Sequence, residues 1–213
     1  WDQSFGLENV LWFADRPEDA HENPTFHRSR AHKYVAREVT AVRENVGGIE
    51  IANYAKHEFK GPGSHEFLNY ILAGRLPRPG RINLTPMLTS KGKLYGDLTV
   101  ACMEDEYFIL FGSGLMQEAH RRWFEKRLPE KEVSYANRSD DYHGVAISGP
   151  KSRELLKRIT RDDVTSGSFR FRDIRQTYVG NVPTIIIRMS FSGELGYEIY
   201  CKPHYLIKLA ENI

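Results

Sequence analysis

The stretch GPGSHEFL, Gly61 to Leu68, nearly recurs as GPKSRELL, Gly149 to Leu156, 88 residues later. In each, a glycine precedes a proline. That proline suits a first helical position, where its missing N–H would go unbonded anyway. Apolar residues then recur at helical spacing: Phe67, Leu68, Ile71 and Leu72 in one segment, Leu155, Leu156 and Ile159 in the other. Two helices opened in the same way point to two modules of one plan. Coincidence is the alternative, since Gly-Pro before a helix is common.

The flanking pattern favours the first reading. Upstream of Gly61 lies a short strand at 55–59. Gly74 can close the helix, and strand-like segments follow at 81–88, 93–101 and 107–111, with Ser90-Lys91-Gly92 as a turn. A helix then begins near Ser113, presents Leu115, Met116, Ala119, Trp123 and Phe124, and stops before Pro129. Upstream of Gly149 a strand at 144–148 is expected. Downstream come strands near 169–178, 183–190 and 196–201, and a helix from Pro203 with Leu206, Ile207 and Ala210. Strand, helix, several strands, helix, twice over, predicts an α+β fold of two ferredoxin-like modules related by a weak internal repeat. Ahead of both, residues 1–28 with Pro17 and Pro24 read as a surface-draped lead-in. Val35, Val39, Val42 and Val46 read as the apolar stripe of a helix that Gly47-Gly48 stops.

Composition narrows the function. With 30 basic and 28 acidic residues the net charge is +2, so no global field advertises nucleic acid or an anionic membrane as partner. No apolar run approaches the roughly 18 residues of a membrane span. Cys102 and Cys201 form no CxxC pair, so reduced thiols in a reducing compartment are expected. The chain opens WDQSF and stops within a helical pattern, as a piece of a longer protein would. The basic helix HRRWFEKR, 120–127, reads as a solvated face, with RNA contact as the lesser alternative. FRFRDIR reads as a strand edge with Phe169 and Phe171 inward and Arg170 and Arg172 outward. No phosphate-binding glycine loop, nucleophile elbow or H-E-x-x-H is present.

Two segments could carry chemistry. GKLYGDLTV, 92–100, places Asp97 early in a β-forming run, either as a turn carboxylate or facing a cleft. RMSFSGELGYEIY, 188–200, combines Gly193 and Gly196, suited to a tight turn or close backbone approach, with Glu198 inside a strand. Such a carboxylate points to water or, if inward, needs a partner. A ligand edge with two adjacent N–H donors, as on a 2-amino-4-oxo heterocycle, would satisfy it.

At these residues the chain resembles the aminomethyltransferase family, the T-protein of the glycine cleavage system. It is most similar to the C-terminal half of dimethylglycine and sarcosine dehydrogenases. LTPMLTSKGKLYGDLTVA (84–101), FILFGSG (108–114) and SFSGELGYEIY (190–200) carry the resemblance. It implies that residues 54–140 are a second module inserted in a first, formed by 1–53 and 141–213, and that the family's terminal barrel domain is absent. It implies tetrahydrofolate as cofactor, with Asp97 catalytic near the nitrogen that receives the one-carbon unit. Glu198, Phe191, Leu84, Ser113 and Tyr178 would be cofactor-binding. Leu84 and Phe191 stand where the family carries tyrosines, and Gly112-Ser113 where it carries an asparagine. The implied activity is tetrahydrofolate-dependent one-carbon transfer from an N-methyl amine or related donor. The partners would be that methylated amine and, in the same natural chain, barrel and FAD domains. A non-catalytic folate-binding module for regulation or repair is the alternative. The cytoplasm, or the mitochondrial matrix in a eukaryote, is the expected location.

Overall fold

Both quoted segments do turn from strand to helix. The computed structural model describes residues 2–4, 6–23 and 25–213, so Pro24 of the predicted lead-in lies outside the described residues. The lead-in itself contains a two-stranded ribbon, β1 (Asp2–Ser4) and β2 (Leu7–Asn9), which the sequence pattern did not announce. Helix α1 (His32–Glu44) and strand β3 (Gly47–Glu50) follow. Next come β4 (Ala55–Lys60), α2 (Ser64–Ile71), β5 (Arg81–Leu88), β6 (Leu94–Glu104), β7 (Tyr107–Gly112), α3 (Gln117–Glu125) and β8 (Ser134–Asn137). The chain then runs through β9 (His143–Ser148), α4 (Ser152–Ile159), β10 (Ile174–Val179), β11 (Val182–Ile187), β12 (Gly196–Cys201) and α5 (Leu206–Asn212).

The strands form two five-stranded antiparallel sheets. Sheet I has the order β5-β6-β7-β4-β8 and sheet II the order β10-β11-β12-β9-β3. Residue alternation along each strand sorts the side chains into three cores. Phe59, Leu68, Leu98, Leu110 and Phe124 cluster between sheet I and helices α2 and α3. Leu156, Ile186, Tyr197, Ile199 and Leu209 do so between sheet II and helices α4 and α5. Ile82, Ala101, Ile109 and Phe111 of sheet I meet Ile174, Ile185, Ile187 and Tyr200 of sheet II. The sheets therefore face each other, with helices outside. Leu68 and Leu156 are fully buried, each contributing roughly 1.5–3 kcal/mol.

The two helix starts depend on glycine. Gly61 has φ 118° and Gly149 φ 129°. A Cβ would come within 2.2 Å of the Glu132 carbonyl oxygen at the first, and within 2.4 Å of the Asn45 carbonyl oxygen at the second. No other residue fits either place. The sheets are also joined at their edges. Arg81 bridges to Asp173 in backbone pairing and by an ion pair. The Ile82 N–H donates to Arg172 O at 2.9 Å, and the Ile174 N–H to Gly80 O at 3.0 Å.

Four expectations are corrected. Val35 and Val39 are exposed, and Tyr34 is the buried residue of α1. Its hydroxyl donates to Asp19 Oδ2 at 2.7 Å, so a polar tether to the lead-in sets the helix's face. Gly47-Gly48 open β3 rather than merely ending the helix, which caps at Asn45. The strand expected from 169 begins at Ile174. Phe169 is buried but Phe171 is 61% exposed, and Arg172 has φ 67°, so this stretch is a turn and not an alternating edge. Leu115 and Ile207, expected on apolar faces, are exposed. No helix is long and apolar enough to cross a membrane among the described residues.

Candidate functional site

The facing sides of the sheets can be read as rows of side chains running across the strands. In sheet II, Ile174, Ile187, Glu198 and Ala146 lie in one row, and Gln176, Ile185, Tyr200 and Gly144 in the next. In sheet I the rows are Ile82, Ala101, Ile109, Glu58, and then Leu84, Thr99, Phe111, Lys56, with Pro86 and Asp97 one row further on. Tyr200 packs on Phe111 with ring centroids 4.9 Å apart, so the second rows meet at the centre. Strands β5 and β10 meet antiparallel at Arg81 and Asp173, so the rows advance in opposite directions in the two sheets. The row of Asp97 and the row of Glu198 consequently lie toward the same end of the intersheet layer.

Glu198 shares its sheet face with Tyr200 and is half-buried. The Tyr200 hydroxyl donates to Glu198 Oε2 at 2.8 Å, and no cation pairs with this carboxylate among the described residues. Burial raises its pKa, and the Tyr200 hydrogen bond opposes the rise. Burial followed by the Glu198 charge likewise raises the pKa of Tyr54. Asp97 is exposed on the facing side of β6, opposite Pro86, and no hydrogen bond or ion pair holds its carboxylate among the described residues. Leu84 (64% exposed) shares that face, and Ser113 is exposed where β7 gives way to the turn before α3.

Phe191 is almost fully exposed on the loop before β12. Ser190 braces this loop, its Oγ donating to Glu194 O at 2.6 Å and accepting from the Gly193 N–H at 3.1 Å. Both glycines of the segment are used as their type allows. Gly193 has φ 93°, and a Cβ on Gly196 would lie 2.8 Å from that of Ser190. Tyr178 is not brought to the others. It lies two strands and two rows from Glu198, on the order of 16 Å along the sheet. There it lines a cleft of about 530 Å³ with Tyr142, Gln176, Pro183, Tyr200 and Lys202.

Sequence reasoning missed one buried cation. Lys56 is fully buried on the facing side of β4, its Nζ donating to Ala52 O at 2.9 Å and Tyr54 O at 2.8 Å. It lies 5.7 Å from the centre of the Tyr200 ring, and burial pushes its pKa down to about 8. Lys56 thus ties down the linker between the sheets and supports the tyrosine that holds Glu198. The sequence reading gave 55–59 only as a short strand and did not single out Lys56. No cluster of three or more metal-ligating side chains occurs among the described residues.

Comparison with known proteins agrees with this architecture. A family profile described as the GCVT N-terminal domain matches residues 1–213. The mitochondrial dimethylglycine dehydrogenase of Mus musculus is 30% identical over 212 residues, which are 98% of this chain and 24% of that protein. An aminomethyltransferase of Desulfitobacterium hafniense (strain Y51) is 29% identical over 181 residues, 84% of this chain and 49% of the relative. The chain therefore spans about a quarter to a half of these relatives. The crystal structure of the glycine cleavage system aminomethyltransferase T from Bartonella henselae shares the fold. Its TM-score is 0.74 at 22% identity, covering 84% of this chain and 48% of that one. Matched by the family profile from residue 1 to residue 213, the chain belongs to the GCVT N-terminal domain family.

Proposed function

We propose that this chain is the tetrahydrofolate-binding part of a larger enzyme that transfers a one-carbon unit from an N-methyl amine, of the dimethylglycine or sarcosine kind, or from a related donor. The observation that carries this reading is the state of Glu198: half-buried, anchored through one oxygen by Tyr200, and without a cation among the described residues. That is the carboxylate a pterin's adjacent N–H donors would complete. Tetrahydrofolate supplies the nucleophilic nitrogen that takes up the carbon. The protein's part is to orient and to manage charge: Glu198 fixes the heterocycle, and Asp97 accepts a proton or stabilises developing positive charge. Leu84, Ser113 and Phe191 border the same end of the layer. Tyr178 enters only as a contact for the distant end of an extended ligand.

In this reading residues 54–140 are a ferredoxin-like module inserted in a second copy built from 1–53 and 141–213. The shared strand order of the two sheets and the 88-residue spacing of their helix starts support it. Barrel and FAD-binding domains elsewhere in the natural chain would complete the enzyme, in the cytoplasm or the mitochondrial matrix. The names of the dehydrogenase and aminomethyltransferase relatives support the reaction class.

A second reading, a folate-binding module without transfer chemistry, is favoured by one observation. Leu84 and Phe191 expose apolar surface beside the site and offer no hydrogen bond. The experiment is calorimetric titration of the full-length protein with tetrahydrofolate, followed by a single-turnover transfer assay. Binding with transfer supports the enzyme and binding without transfer the module. Absence of binding overturns both.

A further inference from the structure

We propose that His120 is a positioning residue for Asp97 and Ser113, its imidazole filling a socket that Gly96 leaves on the helix side of β6, in contact with Gly112 of β7. The inference rests on the reading of Asp97 as catalytic.

His120, on α3, is 1% exposed. A Cβ on Gly96 would come within 2.6 Å of its Nε2 and 2.9 Å of its Cε1, whereas one on Gly112 would meet Leu98 Cδ2 at 2.7 Å and touch the ring's Nδ1 only at an ordinary 3.5 Å. Any side chain at Gly96 would expel the ring. Each of these glycines immediately precedes a site residue, Gly96 before Asp97 and Gly112 before Ser113. The register of β6 and β7 sets Thr99 opposite Phe111, and continued by two residues it brings Asp97 level with Ser113. The ring therefore backs both strands at the point where the two residues project from the other side.

The hydrogen bonding agrees. His120 Nε2 lies 3.3 Å from the Tyr95 carbonyl oxygen, which only accepts, so Nε2 carries the proton. Nδ1 is left with a lone pair and no partner among the described residues. The ring thus holds the backbone two residues before Asp97. Phe124, fully buried one turn along α3, anchors the helix that delivers it. The titratable groups about the ring are Asp97 and Tyr95 of β6 and His57 of β4, its centroid 6.3 Å away; Glu118 of α3 and Tyr135 of β8 act on His57. Burial lowers the pKa of His120, while the Tyr95 carbonyl and the Asp97 charge oppose the fall.

The test uses the full-length protein and its His120→Leu, His120→Gln, Asp97→Asn and combined variants. In single turnover, His120→Leu should slow one-carbon transfer to tetrahydrofolate on the order of 10–100-fold, as a displaced catalytic group does. Tetrahydrofolate affinity should stay within about twofold, and His120→Gln, which can still donate to Tyr95 O, should recover part of the rate. Added to Asp97→Asn, either change should slow transfer less than about twofold, because it acts through that carboxylate. Independently of activity, ring-nitrogen NMR should show the Nε2–H tautomer, with the His120 pKa falling further in Asp97→Asn. A folded His120 variant with unchanged transfer, a fully additive loss with Asp97→Asn, or a His120 titration indifferent to Asp97 would overturn the proposal. Unchanged transfer in Asp97→Asn alone would instead show that the catalytic reading of Asp97 is at fault.

Discussion

The facing sides of sheets I and II follow one frame and carry different chemistry. Where sheet I has Thr99, Phe111 and Lys56 across one row, sheet II has Ile185, Tyr200 and Gly144. Where sheet I has Pro86 opposite Asp97, sheet II has Tyr178 opposite Pro183. Ile109 in one corresponds to Glu198 in the other. The helix starts match hydrogen bond for hydrogen bond: the Gly61 N–H donates to Glu106 O at 3.1 Å and the Gly149 N–H to Leu195 O at 2.8 Å. Residues 63 and 151 donate to Glu132 O and Asn45 O, at 3.2 and 3.0 Å. Backbone geometry is thus common property, and the candidate site arises from a few side-chain exchanges placed on it.

The largest way to break the comparison is at its polar corner. Asp97→Asn keeps the shape and removes the proton acceptor, so transfer by the full-length protein should fall about 10²–10⁴-fold in single turnover while folding is little changed. Equal rates would reduce Asp97 to a surface carboxylate no different from its apolar counterpart, Pro183.

The shared frame is tested by Gly61→Ala and Gly149→Ala. Each places a Cβ against a backbone oxygen at a positive φ, and each should destabilise by roughly 3 kcal/mol in urea denaturation. Gly92→Ala, at φ 72° with open space around it, should lose only about 1 kcal/mol. Similar losses at all three would show that the close approaches under the helix starts contribute little.

Glu198→Gln sharpens the contrast with Ile109. Losing a charge-assisted bond should weaken tetrahydrofolate binding at least about tenfold, read by calorimetry on the full-length protein. Apo stability should move the other way. The folded pKa of Glu198 is raised above its ordinary 4.5, so its ionisation opposes folding. This stability is present below the unfolded value and lost as pH rises through the folded one. Glu198→Gln should therefore raise the urea midpoint at neutral pH and leave it unchanged near pH ~3. A lower midpoint at neutral pH would contradict the assigned burial.

The smallest contrast compares two buried serines. Ser152 Oγ donates to Leu195 O at 2.9 Å, whereas the Oγ of its counterpart Ser64 has no partner among the described residues. Ser152→Ala should destabilise by about 1 kcal/mol, and Ser64→Ala should be neutral or slightly stabilising. Equal losses would mean that Ser64 Oγ is bonded in solution.

Much of this was legible in the sequence because period and punctuation agreed. Residues 81–88 and 196–201 are strands at the expected bounds. The Ser90-Lys91-Gly92 turn closes with the Thr89 N–H on Lys93 O and Gly92 at φ 72°. The inward direction of Glu198 was legible only as a conditional, because strand parity does not say which face is covered. Tertiary contacts decided the misses. The Tyr34–Asp19 tether turned the valines of α1 outward, and edge pairing with Gly80 and Ile82 delayed β10 to Ile174. Lys56 and His120 look like ordinary polar residues in their segments. The signal for His120 lay elsewhere, in Gly96, a glycine in a strand position that no turn required.

Strand β3 has a consequence for synthesis. Its partner β9 and the Gly149 turn that rests on Asn45 O lie roughly 90 residues downstream, on the order of 5–20 s of ribosome time. Sheet I, contiguous from β4 to β8, is complete before β9 emerges, so it can fold first while α1 and β3 wait with an unpaired edge. Sheet II must then close around a finished neighbour. Slowing translation within residues 51–142 lengthens that wait and gives chaperones that bind exposed strands their longest opportunity on this chain.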